Sequence, residues 1–339
     1  MIDPRLCHLP TPFQPAPGLS DAAGGPRVWL KRDDCTGLAF GGNKARKLAA
    51  ILAEARTAGA DTLITQGAVQ SNHVRQTAAA AAAWGMSCEA ILVERVAPPG
   101  ATYARSGNVL LDHLLGARVH TVAVNDDLTG VVEEISREVR ARGGVPYVVP
   151  MGGSSVTGTV GYAGCAREIL AQAAHEGIEV AAIVVASGSG GTQAGLIAGL
   201  HAAGAAVPVI GISVFHEDPR ELGERVGALA RAASAALGAS TPVPAEVVLV
   251  EGGYLGTAYG APTTDGLAAL RLAARTEGVL LDPVYTAKAM AGLLDLARGG
   301  RWRAGEDVVF VHTGWAPGLF GYEEALQAAP TNLVGGINR

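Results

Sequence analysis

Ile183-Val184-Val185-Ala186-Ser187-Gly188-Ser189-Gly190-Gly191-Thr192-Gln193-Ala194-Gly195 reads as a short buried strand, a glycine turn and the start of a helix. Apolar, largely β-branched residues running into glycine suit a strand covered on both faces, as in a parallel sheet. The turn, Ser187, Gly188, Ser189, Gly190, Gly191 and Thr192, admits two readings. Its backbone amides can cradle a phosphate at a helix N-terminus, or the glycines can serve only to make the bend. No Lys-Ser or Lys-Thr pair follows, and the spacing of a dinucleotide fingerprint is incomplete, so a single phosphate group is the better ligand.

Outward from that stretch, similar apolar runs recur between alanine-rich helical patterns: Thr62–Thr65, Ala90–Val93, Arg118–Val124, Val145–Val149, Val209–Val214, Val247–Val250 and Val308–His312. Repeated alternation of strand and helix implies α/β architecture, with parallel sheets wrapped by helices. Four runs fall between Ala49 and Gly161 and the others follow from Ile183. The expectation is two parallel-sheet α/β domains with the site in the cleft between them: residues 1–48 with 162–339 as a large domain and 49–161 as a small one. Ala78–Trp84 reads as a core helix, Pro98-Pro99-Gly100 as a surface loop, and the stretch bracketed by Pro219, Pro242 and Pro244 as a helix with loops at both ends.

Length and composition agree. A chain of 339 residues exceeds what one core usually serves, and 49% hydrophobic with 17% charged residues excludes disorder. A net charge of −5 without a Lys/Arg cluster argues against a nucleic-acid partner. Cys7, Cys35, Cys88 and Cys165 show no paired spacing, which argues against a zinc site or disulfide framework and fits a reducing cytoplasm. The N-terminal residues lack the order of a signal peptide, and no uncharged apolar run approaches the roughly 20 residues of a membrane span.

A lysine stands behind a second bend, in Gly41-Gly42-Asn43-Lys44-Ala45-Arg46-Lys47-Leu48. Lys44 is either a surface lysine in a first helical turn or an amine able to hold an aldehyde as a Schiff base. A position near the positive end of a helix dipole favours its neutral form, and Arg46 and Lys47, if not solvated, push the same way. With a phosphate cradle in the same chain, the pair suggests pyridoxal phosphate. Gln70-Ser71-Asn72-His73-Val74-Arg75-Gln76 opens the alanine-rich helix; it is plain N-capping or a carboxylate- and cofactor-contacting segment. Tyr254, Tyr259 and Tyr285 lie in loops rich in glycine and proline; they are half-buried packing or, with lowered pKa, acid/base groups. Val308–Val311 leads into His312-Thr313-Gly314-Trp315, where Thr313 can bond a cofactor ring nitrogen and His312 reads as structural.

Together these segments, with Leu9-Pro10-Thr11-Pro12, Lys31–Leu38 and Gly107–His113, resemble the pyridoxal-phosphate enzymes of the tryptophan-synthase-β fold (fold type II). Within it, the resemblance is to the family that contains D-cysteine desulfhydrase, L-cysteate sulfo-lyase and 1-aminocyclopropane-1-carboxylate deaminase. The resemblance implies that Lys44 is the Schiff-base lysine, that Asn72 contacts the cofactor's ring hydroxyl, and that Ser71 and His73 border the substrate carboxylate. It further implies that Ser187 to Thr192 hold the phosphate and that Tyr259 and Tyr285 are active-site tyrosines. The expected reaction is β-elimination from a small sulfur-containing amino acid, D-cysteine first and L-cysteate as the alternative, with Lys44 or a tyrosine taking the α-proton and Ser71 orienting the carboxylate. His73 and Thr286 stand where the deaminase typically carries glutamine and glutamate, against ring opening. Gln193, the Asn108–His113 run and Ala287 lean towards cysteate lyases; Thr286 leans towards desulfhydrases. Trp315 departs from the family's usual glycine and is expected to narrow the substrate pocket. Family members are commonly homodimers. A noncatalytic carrier of the cofactor and a plain nucleotide-binding module are the readings from other classes.

Overall fold

The run at Ile183 extends at both ends into the strand Val180–Ser187, and the glycine turn delivers it into a helix that begins at Gly191. The computed structural model describes residues 5–97 and 100–327. Its strands are β1 (Phe13–Pro15), β2 (Arg27–Arg32), β3 (Thr62–Ala68), β4 (Ser87–Glu94), β5 (Arg118–Ala123), β6 (Pro146–Val149), β7 (Val180–Ser187), β8 (Val209–Ser213), β9 (Val248–Glu251) and β10 (Asp307–His312). Helices are α1 (Pro17–Ala23), α2 (Lys44–Thr57), α3 (Asn72–Ala83), α4 (Gly107–Leu114), α5 (Leu128–Ala141), α6 (Val156–Glu176), α7 (Gly191–Ala202), α8 (Pro219–Ala236), α9 (Thr264–Glu277), α10 (Thr286–Arg298) and α11 (Glu323–Gln327).

Each of the eight expected strands is present. They sort into two sheets, one of order β5-β4-β3-β6 and one of order β1-β2-β10-β7-β8-β9. The four-stranded sheet is wholly parallel; in the six-stranded sheet only the β1–β2 pair is antiparallel. Strands β8 and β10, and β7 along most of its length, are buried, as the unbroken apolar runs require. Pro98 and Pro99, expected in a surface loop, lie outside the described residues.

Strands β1 and β2 are the unanticipated ones. Arg27–Arg32 carries charge at both ends and at Lys31, yet Lys31 is buried because its ammonium meets Glu168 at 2.7 Å. That contact belongs to an ionic knot joining β2, α2 and α6. Arg46 bonds Asp33 at 2.8 Å and Glu168 at 2.7 Å, and the Tyr162 hydroxyl donates to Asp33 at 2.6 Å. Burial alone raises the Asp33 carboxyl, but the Arg46 guanidinium and its hydrogen bonds hold it below the ordinary value. A buried ionic cluster adds geometric definition more than net stability. Here it fixes the first turn of α2, and with it Lys44.

No described helix is long and apolar enough to cross a membrane. Among the described residues no group of His, Cys, Asp and Glu is placed to hold a metal.

Candidate active site

Strand ends from both sheets converge on a cavity with room for about 80 Å³ of water-molecule centres. Lys44, Ser71, Asn72, His73, Ser187, Gly188, Ser189, Gly190, Thr192, Tyr259, Tyr285, Thr313 and Trp315 all line it. Gly191 does not. It opens α7 with its Cα turned toward Ser154 and Lys47, where an added Cβ would stand 2.5 Å from Ser154 Oγ.

Lys44 is the first residue of α2 and is half-buried at the cavity, its Nζ donating to Asn43 Oδ1 at 3.0 Å. Burial lowers its pKa to about 8 against an upward pull from Asp282. The neighbours contribute differently from expectation. Arg46 is neutralised inside the ionic knot, and Lys47 turns away, buried, donating to Gly152 O at 3.1 Å. Lys47 is itself driven well below its usual range, first by burial and then by the charge of Lys44.

Opposite the lysine, Ser187-Gly188-Ser189-Gly190 forms the turn before α7. Gly190 sits at φ +83°, a left-handed conformation that glycine adopts without strain. The Ser187 hydroxyl is buried with no hydrogen-bond partner, and the first-turn amides of α7 have no intrahelical acceptor. An orphaned hydroxyl and free amides at a helix N-terminus fit a phosphate. Asn43 Nδ2 donates to Thr192 Oγ1 at 2.8 Å, so the lysine segment and the cradle are tied directly. The loop Met151–Ser154 braces the cradle from behind, Ser154 and Ser189 sharing a hydroxyl contact of 2.7 Å.

The α3 end both caps its helix and lines the cavity. Ser71 is the N-cap, accepting from Val74 N at 3.3 Å, and it also lines the cavity. Asn72 accepts from Arg75 through its carbonyl oxygen, which leaves its NH2 group available beside Gly42. Gly42, at φ +126°, is where this closeness is decided: a Cβ there would meet Gln76 at 2.5 Å and Asn72 at 2.8 Å. His73 keeps both ring nitrogens in the protein, Nε2 against Thr65 Oγ1 at 2.8 Å and Nδ1 buried without a partner. Burial, then the charges of Lys44 and Lys47, keep it neutral. What His73 can offer a carboxylate is therefore its backbone N–H in the first turn.

Aromatic rings wall the remaining side. Phe215, Tyr259, Tyr285 and Trp315 follow one another edge to face at centroid spacings of 4.8, 6.0 and 5.8 Å. Tyr259 and Tyr285 share a hydrogen bond between their hydroxyls. Neither phenol has the lowered pKa that a base needs. Burial pushes Tyr259 up to about 12 and Tyr285 well above its usual value, so both phenols stay protonated. Asp282 organises this side, accepting from the amides of Val284, Tyr285 and Thr286 and from the Thr286 hydroxyl.

Trp315 is 3% exposed, pinned by a 2.8 Å bond from its indole N–H to Gln70 O, and has φ +92°. A left-handed backbone at a tryptophan explains why glycine suits that position. The positions that lean towards one or the other sulfur lyase do not line the cavity. Gln193 turns from the cavity to bond Val209 O and Leu249 O, Asn108 bonds Gln70 O, Ala287 is buried in α10, and Thr286 is held by Asp282. His312 is structural as expected, its rings bonded to Leu280 O and Gly314 N.

Sequence reasoning missed Asn43, Arg95, Met151, Gly152 and Phe215 as lining residues. Arg95 directly follows β4 and Phe215 lies two residues beyond β8. The carboxyl ends of parallel strands are where α/β ligand sites form, and that rule was the available signal.

A family model described as pyridoxal-phosphate dependent enzyme matches residues 5–314. The chain belongs to that family. Its cofactor is pyridoxal phosphate, which the lysine and the cradle fit. A D-cysteine desulfhydrase of Klebsiella pneumoniae subsp. pneumoniae is 43% identical over 322 residues, 95% of this chain and 96% of the relative. One from Yersinia pestis (strain Pestoides F) is 44% identical over 312 residues, 92% and 93% of the two chains. The crystal structure of an ACC deaminase homologue superposes with TM-score 0.85 at 38% identity, covering 95% of this chain and 94% of that one. The architecture is accordingly fold type II.

Proposed function

We propose that the chain is a carbon–sulfur lyase that converts D-cysteine to pyruvate, hydrogen sulfide and ammonia. The observation that carries this reading is a desolvated lysine amine, pKa about 8, facing two protonated phenols across a cavity whose far end is a phosphate cradle. The relatives named D-cysteine desulfhydrase support the choice of substrate.

In this reading the amides of the first turn of α3, with Ser71, hold the substrate carboxylate and aim Cα at Lys44 Nζ. Lys44 Nζ, whose pKa of about 8 leaves about a tenth of molecules neutral at pH 7 against about one in three thousand for an ordinary lysine, takes the α-proton. When bound, the cofactor supplies the electron sink that makes that proton removable. Tyr285 and Tyr259, sharing one hydrogen bond, pass a proton to the departing sulfur, and the aromatic wall keeps water from the reacting carbon. Thr313 takes the ring nitrogen, Asn72 the ring hydroxyl, and Ser187 to Thr192 the phosphate. The same reading carries a large unit of residues 1–48 and 162–339, a small unit of 49–161, a homodimer and a cytoplasmic setting; light scattering that returned the mass of one chain would remove the dimer.

The decisive experiment is product analysis on the cofactor-loaded protein. Pyruvate and sulfide in equal amounts from D-cysteine support the proposal; a loaded protein that releases neither removes it.

A further inference from the structure

Lys288 stands in the first turn of α10 with no part in the chemistry above, yet it is fully buried. Among the described residues it makes one hydrogen bond, Nζ donating to Leu255 O at 2.6 Å, and no ion pair. The placement costs twice over, since burial and the positive end of a helix both disfavour an ammonium. Burial accordingly brings it down to about 8, against a weaker upward pull from Asp282. Its stem passes Gly266, where an added Cβ would stand 3.5 Å from Lys288 Cγ, and an uncharged chain of similar length would pack there as well. What the amine adds is its grip on Leu255.

Residues 252–263 link β9 to α9 without helix or strand, and Gly252, Gly253, Gly256 and Gly260 leave the segment few side chains with which to hold itself. It leans on α10 instead. Tyr254 donates to Asp295 at 2.7 Å on the surface, Leu255 is gripped by Lys288 in the interior, and Tyr259 reaches Tyr285 at the cavity. Tyr285 and Lys288 lie three positions apart, on one face of the helix start, and Asp282 fixes that start by accepting from the amides of Val284, Tyr285 and Thr286. One helical turn therefore holds both phenols, Tyr285 directly and Tyr259 through Leu255. A hydrogen bond weakens steeply with distance and angle, so slack at Leu255 is felt at the hydroxyls.

We propose that Lys288 is a positioning residue for the phenol pair: by fixing Leu255 it sets Tyr259 against Tyr285, and so governs donation to the departing group without touching substrate or cofactor. The inference rests on the β-elimination reading above. Its signature is a dependence on what leaves. Sulfur departs with the help of a proton donor, whereas chloride, the anion of a strong acid, departs without one. A merely structural lysine would affect both alike.

The test compares cofactor-loaded wild type, Lys288→Met, Tyr259→Phe and the double variant on D-cysteine and β-chloro-D-alanine. The ratio of kcat/KM for D-cysteine over β-chloro-D-alanine falls by about tenfold to a hundredfold in Lys288→Met, and in the Tyr259→Phe background Lys288→Met lowers it no further. A ratio unchanged in Lys288→Met, or losses that add in the double variant, overturns the inference. Should Lys288→Met fail to fold, Lys288→Gln, one atom too short to reach Leu255 O, takes its place under the same two criteria. A second arm is independent of turnover: chymotrypsin cuts the loaded protein after Leu255 or Tyr259 about tenfold faster in Lys288→Met than in wild type, with cleavage elsewhere unchanged. If neither substrate turns over but this difference is present, the β-elimination reading fails while the anchor stands; if the difference is absent, the anchor fails.

Discussion

The cradle end of the cavity comes from two short stretches, Asn43–Lys44 and Ser187–Thr192, whereas the opposite end takes Ser71, Arg95, Phe215, Tyr259, Tyr285 and Trp315 from six separate turns and strand ends. The first is made largely of backbone: free amides, a left-handed glycine and one orphaned hydroxyl. The second is made of side chains held by one another. A backbone-built pocket is fixed by chain path and tolerates few changes of conformation, while a side-chain-built wall can be altered one residue at a time. In the proposed reading, recognition of the cofactor phosphate and choice of substrate are thereby separated within one cavity.

Lys44→Ala strikes the cradle end hardest. It should lower turnover by at least about a thousandfold and abolish the visible absorbance of the bound cofactor, with the unloaded protein melting no earlier than wild type. Retained colour and activity would move the reactive amine elsewhere. Gly190→Val tests the backbone itself. A side chain at φ +83° costs about 1–3 kcal/mol, and its Cβ would approach Val226 to 3.1 Å. Cofactor affinity, followed by absorbance titration, should fall tenfold to a hundredfold.

Trp315→Gly probes the other end. It relieves a left-handed backbone but removes a buried indole, and loss of about 3–5 kcal/mol of aromatic packing outweighs about 1–3 kcal/mol of strain. Urea unfolding should show about 2 kcal/mol of net destabilisation, with cofactor affinity within threefold of wild type. A variant that loses the cofactor would erase the contrast between the two ends.

The smallest effect is a pH dependence. Because burial lowers Lys44 to about 8 from the ordinary 10.5, cofactor capture by the unloaded protein should accelerate up to about pH 8 and level off above it. The unfolded chain binds a proton that the folded site has shed, so the unloaded protein also gains stability as pH rises from about 8 to 10.5. Lys44→Met should remove that slope in urea titrations. A capture midpoint near 10.5 would show that the amine is solvated.

What the sequence made legible follows the same division. Eight strands could be read because they are apolar or β-branched runs set between helical patterns; β1 is three residues long, and β2 hides Lys31 behind a partner 137 residues away. The cradle and lysine could be read because each is contiguous, although Gly191 faces Ser154 rather than the cavity. Arg95 and Phe215 could not, since nothing local distinguishes a charged or aromatic residue after one strand from the same residue after another. The direction of the tyrosine pKa shifts could not be read for a related reason: the rings that bury Tyr259 and Tyr285 include Phe215 and Trp315, both far away in the chain.

The 2.8 Å bond from Asn43 to Thr192 has a metric consequence. By joining the residue beside the reactive amine to the first turn of the phosphate-facing helix, it sets a fixed gauge between the atom that grips an aldehyde and the amides that grip an ester. A ligand must match that span at both of its ends at once. Pyridoxal lacking its phosphate can reach the amine yet finds nothing to fill the far jaw, so the protein should discard it although its reactive carbon is the same.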